Sequence, residues 1–108
     1  MAVAEARAIC ERLERQHDAA VAAYNARQTR ANADACKASW ATLQAAERAL
    51  LRAILAQQAM RWADLGHHAE ARTLDQALRD GTDDIGLIVL STRLVADMSG
   101  RIIGGGAA

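Results

Sequence analysis

The chain has no proline and no phenylalanine, its aromatics amount to 3% of 108 residues, and its two cysteines are Cys10 and Cys36. Without proline, nothing of that kind interrupts a helix from within, so a segment with helical periodicity can run long. With so few aromatics, a core has to be assembled from Leu, Ile, Val and Ala plus two tryptophans, and such side chains let backbones approach closely. Two cysteines do not make a disulfide framework. Charge of one sign is missing as well: 13 basic residues balance 13 acidic ones, so no global field gathers a polyanion, which argues against non-specific nucleic-acid binding. Long apolar runs are absent; the most apolar window, Ile85 to Leu90, is far short of the roughly 20 residues of a membrane span. The opening MAVAEARAICERLERQ lacks the cationic segment and apolar core of a signal peptide. The expectation is a soluble cytoplasmic protein that makes no use of a membrane.

What is present is alanine, a quarter of the chain, and arginine, since Lys37 alone among the basic residues is lysine. Both excesses are what a GC-rich genome produces and point to a bacterial source. Alternating three- and four-residue spacing of apolar positions runs from Val3 to Gln28 and again from Cys36 to Leu65, predicting two long amphipathic helices. The first stripe is Val3, Ala6, Cys10, Leu13, His17, Ala20 and Tyr24. The second is Cys36, Trp40, Leu43, Leu50, Leu51, Ile54, Leu55, Trp62 and Leu65. Asn25 to Asp34 is the polar, aperiodic window in which the chain reverses, with Asn32 as the N-cap of the second helix. Gly66 stops that helix. A third helix fits His68 to Arg79 and ends at Asp80-Gly81, and Thr82 is the expected N-cap of a fourth helix ending at Gly100. The β-branched run in Gly86 to Val95 makes a strand the competing reading there. Residues 1–100 are read as one helical domain and 101–108 as a flexible tail.

An antiparallel hairpin reversing near residue 31 makes facing positions sum to about 62. That rule sets Cys36 beside residue 26, Trp40 near Val21 and His17 near Ala45 to Glu47. It separates Cys10 from Cys36 by about 24 Å, too far for a disulfide. It also leaves Trp62 past the start of the first helix, to be covered by a later helix or another subunit.

Glu14 and His17 form an E-x-x-H, the spacing that puts a carboxylate and an imidazole on one helical face in di-metal bundles. With Glu47 they are the candidate metal ligands, and the plainer reading is a half-buried core histidine. His67, His68 and Glu70 sit at a helix junction and diverge rather than converge on an ion. Asp80, Asp83 and Asp84 read as helix stop and cap, not a calcium loop. Ala77, Gly81, Leu87 and Leu90 carry helix-turn-helix spacing, but the reading helix would then meet DNA with Asp83, Asp84 and aliphatic side chains. The run Leu65-Gly66-His67-His68-Ala69-Glu70-Ala71, followed by Ala77-Leu78, resembles the helix junction of a tetratricopeptide repeat. That resemblance implies a helix-pair packing style and no ligand.

The reading is an all-α helical bundle: a long antiparallel hairpin plus two shorter C-terminal helices, completed by oligomerisation. The hairpin's apolar stripe exceeds what the rest of the chain can cover, and this predicts a non-catalytic interaction protein without a cofactor, such as an adaptor, an assembly or secretion chaperone, or an inhibitor of a larger complex. Its partner is another protein or a second copy, and Trp40, Leu43, Leu50, Ile54 and Trp62 are the anchors. The alternatives are a small metal- or ligand-binding bundle using Glu14, His17 and Glu47, and a small DNA-binding regulator.

Overall fold

Two glycines set the later part of the chain. Gly66 and Gly81 have φ of +89° and +73°, a left-handed conformation that glycine reaches without steric penalty. In the computed structural model, which describes residues 2–107 and the side chains through residue 100, each ends a helix. At the first, the His67 amide donates to the Trp62 carbonyl (2.8 Å) and the Gly66 amide to Ala63 (3.0 Å), the paired bonds of a Schellman stop. At the second, the Thr82 amide donates to Ala77 (3.2 Å). The elements are α1 (Val3–Ala26), α2 (Arg30–Asp64), α3 (His68–Arg79) and α4 (Asp84–Ala107). There is no strand among the described residues, so Gly86 to Val95 is helix. The backbone of α4 is helical through Ala107; the side chains of the tail expected at 101–108 lie outside the described residues.

The first reversal is tighter than the polar window suggests. Arg27 is extended (φ −150°, ψ 104°), and Thr29, not Asn32, caps α2: its Oγ1 accepts the Asn32 amide at 3.1 Å. Asn32 instead turns its side-chain amide back onto the end of α1, donating to the carbonyls of Arg27 (2.8 Å) and Ala23 (3.3 Å). Both carbonyls already accept backbone amides, Ala23 from Arg27 and Arg27 from Thr29, so the asparagine adds a second bond to each and ties the start of α2 to the end of α1. The fourth helix also begins one residue later than expected. Thr82 has its amide engaged in closing α3, and Asp83 is the cap, with Oδ1 accepting the Gly86 amide at 2.7 Å.

The chain divides into two compact units, Met1–Ala53 and Ile54–Ala108. In the first, Ala6, Cys10 and Leu43 are the buried apolar residues. Its cross-contacts descend α1 as they ascend α2. The Cys36 thiol donates to the Ala20 carbonyl (3.2 Å), and His17 meets Ser39 (2.7 Å). A side chain reaching a backbone carbonyl on another helix needs a small residue there, and Ala20 provides it. These pairs sum to about 56 rather than 62, because the turn is centred at Gln28. His17 therefore faces Ser39 and Trp40 instead of Ala45 to Glu47, and Cys36 faces Ala20 instead of residue 26.

In the second unit α2 contributes Leu55, Ala59 and Trp62, α3 contributes Ala71 and Leu74, and α4 contributes Leu87 and Leu94 to the buried set. Leu74 and Leu87 are fully enclosed, each worth about 1.5–3 kcal/mol of transfer free energy. Trp62 is buried here, so the tryptophan the hairpin could not cover does not wait for another subunit. α3 packs against α4, and Ser91 donates to Gln58 Oε1 at 3.1 Å to tie α4 to the end of α2.

Candidate functional site

His17 Nδ1 lies 2.7 Å from Ser39 Oγ, and that hydroxyl donates to the Cys36 carbonyl at 3.0 Å. A serine has one proton, and here it faces a carbonyl, so the serine accepts from His17 and Nδ1 carries the ring's hydrogen. A histidine in that tautomer donates to the serine and does not activate it as a nucleophile. The ring also packs on Trp40, with centroids 5.3 Å apart at 45°. His17 is thus held by a hydroxyl and an indole, and Glu14 and Glu47 are both exposed. Both carboxylates act on Cys10, whose thiol is pushed up from its ordinary value of 9.0, first by burial and then by Glu47, Glu14 and Glu11. Among the described residues no group of three or more His, Cys, Asp or Glu side chains is placed to hold a metal ion.

Of the five anchors read from the sequence, Leu43 and Trp62 are buried, Leu50 is half-buried, and Trp40 and Ile54 are exposed. They do not form one exposed surface. Trp40 presents about half its area (48%) and is already braced by His17.

The larger apolar exposure is on α4. Its inner side carries Leu87 and Leu94, both buried, with Leu90, Ser91 and Met98 half-buried. On the opposite side Ile85 is 76% exposed, Ile88 50%, Val89 60% and Val95 43%; Thr92 and Ala96 complete the row and are exposed too. Positions 85, 88, 89, 92, 95 and 96 follow the i, i+3, i+4, i+7 rule and occupy one face about three turns long. None of the six is ionisable. Asp84, Arg93 and Asp97 lie off this arc.

Soluble helices normally put charge opposite their core side, so a second aliphatic face is the feature here that requires an explanation. Sequence reasoning finds the most apolar window of the chain at Ile85 to Leu90 but does not reach this face. Periodicity locates a stripe only when the other side is polar, and α4 has no polar side to set a phase. The same face bears on the DNA-reading alternative. Leu87 is buried and Asp83 holds the cap, so the side of α4 that meets solvent offers isoleucine and valine where groove readers use hydrogen-bonding and basic side chains. No helix of the described residues is long and apolar enough to cross a membrane. Comparison with protein-family models, with curated proteins and with solved structures finds no match for this chain.

Proposed function

We propose that this is a non-catalytic helical interaction protein whose binding element is the outer face of α4. The carrying observation is the two-sidedness of that helix: one side is closed into the core at Leu87 and Leu94, while the other presents Ile85, Ile88, Val89 and Val95 to solvent. Keeping such a row in water is unfavourable in proportion to its area, and association removes that penalty. The polar chemistry supports the same reading from the other side. The Ser39–His17 contact is wired with the serine's proton on a carbonyl, which suits positioning rather than catalysis. In this reading α3 and the end of α2 are what hold α4 in place, through its packing on α3 and the Ser91–Gln58 hydrogen bond.

The test uses the full chain as bait in an extract of its source organism, beside Val89→Glu. Val89 is 60% exposed, so the variant should fold and show an unchanged circular dichroism spectrum. A protein retained by the wild type and lost with the variant is the expected result. Identical capture by both, together with an unchanged oligomeric state, overturns the assignment of binding to α4.

A further inference from the structure

We infer that the outer face of α4 is covered by a second copy of this chain, packed antiparallel across a two-fold axis. The inference rests on the interaction reading above and names its partner. Two features of the face point to a copy of itself. It holds no charge to recognise, so what covers it must be another uncharged aliphatic stripe, and α4 is itself such a stripe. Its ends differ in bulk, with Ile85 at the N-terminal end and Ala96 at the other. An axis passing near residues 90 and 91 therefore sets the large Ile85 of one protomer against the small Ala96 of its partner, and Val89 against Thr92. Large opposite small is the arrangement that lets two helix faces interdigitate at close-packed density. An isologous contact of this kind also closes on itself, giving a dimer rather than a growing chain.

Area sets the strength. Three turns of helix on each protomer, with the aliphatic stem of Arg93 at the margin, bury at most on the order of 1,000 Å² in total, the lower bound for a specific interface. The dimer should therefore be reversible, half-formed at a concentration on the order of 100 µM once the freedom lost on association is set against that area.

Sedimentation equilibrium of the full chain from about 5 to 500 µM is the experiment. The expected result is a mass rising from one chain to two and levelling there. Val89→Glu should remain one chain throughout, whereas Leu65→Glu, at an apolar position 73% exposed outside α4, should dimerise like the wild type. Register is read separately in a background carrying Cys10→Ala and Cys36→Ala. Mixing Ile85→Cys with Ala96→Cys chains under mild oxidation should give a covalent dimer in greater yield than Ile85→Cys alone.

A wild type that is one chain at 500 µM overturns the inference, as does a dimer that survives Val89→Glu or a mass that grows beyond two. Co-flotation of the monomeric chain with phosphatidylcholine vesicles would assign the face to lipid and overturn it equally. The interaction reading has its own outcome: a monomeric chain whose protein capture is still lost with Val89→Glu rejects the second copy and keeps the reading. Loss of neither signal rejects both.

Discussion

Cys10 sits where burial and three carboxylates oppose its ionisation. It is buried on α1, and the carboxylates of Glu47, Glu14 and Glu11 add to what burial begins. The fold therefore favours the neutral thiol more than the unfolded chain does. Because the folded value is raised, the contribution is fully present below the ordinary thiol value of 9.0 and is lost as pH climbs through the raised one. Urea midpoints measured at pH 8 and at pH 10 should fall further for the wild type than for Cys10→Ala; equal falls would mean the thiol does not carry the effect. Cys36 is half-buried, with its thiol on the Ala20 carbonyl. Iodoacetamide, which is uncharged and blind to the carboxylates, should label Cys36 in the native protein at least tenfold faster than Cys10. Comparable rates would show that α1 opens freely.

At the scale of the element, helix ends decide what could be read from the sequence. The bounds of α3 were legible as His68 to Arg79 because Gly66 and Gly81 mark them chemically: each adopts a backbone angle that side chains rarely tolerate. The start of α2 was not legible, since Thr29 and Asn32 are both good caps and only their three-dimensional partners show that one caps α2 and the other bonds back to the end of α1. That error of a few residues propagated into the register, and with it the partner of His17.

The cap of α4 yields a sharper expectation. Removing Asp83 Oδ1 with Asp83→Ala should cost about 1 kcal/mol of stability. Gly86 lies three residues on, and a Cβ there would stand 2.8 Å from the Thr82 methyl and 3.0 Å from Asp83 Oδ1. Helix propensity alone favours Gly86→Ala by about 1 kcal/mol. The crowding of the cap opposes that gain, so the variant should be no more stable than the wild type in chemical denaturation. A stabilisation near the full propensity value would show that the cap shifts aside without loss.

For the molecule as a whole, the two units differ in how much they bury. Residues 1–53 enclose Ala6, Cys10 and Leu43, whereas residues from 54 onward enclose Leu55, Ala59, Trp62, Ala71, Leu74, Leu87 and Leu94, two of them completely. Alanine and cysteine offer little transfer free energy, so the first unit holds its helices together mainly through one leucine, half-buried neighbours and a few cross-helix hydrogen bonds. Stability is then uneven along the chain, and α1 should open without the second unit unfolding. Native-state hydrogen exchange would read this directly. Amides in the middle of α1, around Leu13 to Ala20, should exchange on the order of 100-fold faster than those of α3 around Leu74, a difference of about 2.7 kcal/mol in opening free energy. Leu43→Ala should widen that gap by loosening the first unit alone, while Leu74→Ala, which leaves a cavity costing about 2–5 kcal/mol, should narrow it by loosening the second. If α1 and α3 exchange at one rate in the wild type and both substitutions shift them together, the chain unfolds as a single cooperative body. The thin burial around Cys10 would then be compensated through contacts along the length of α2.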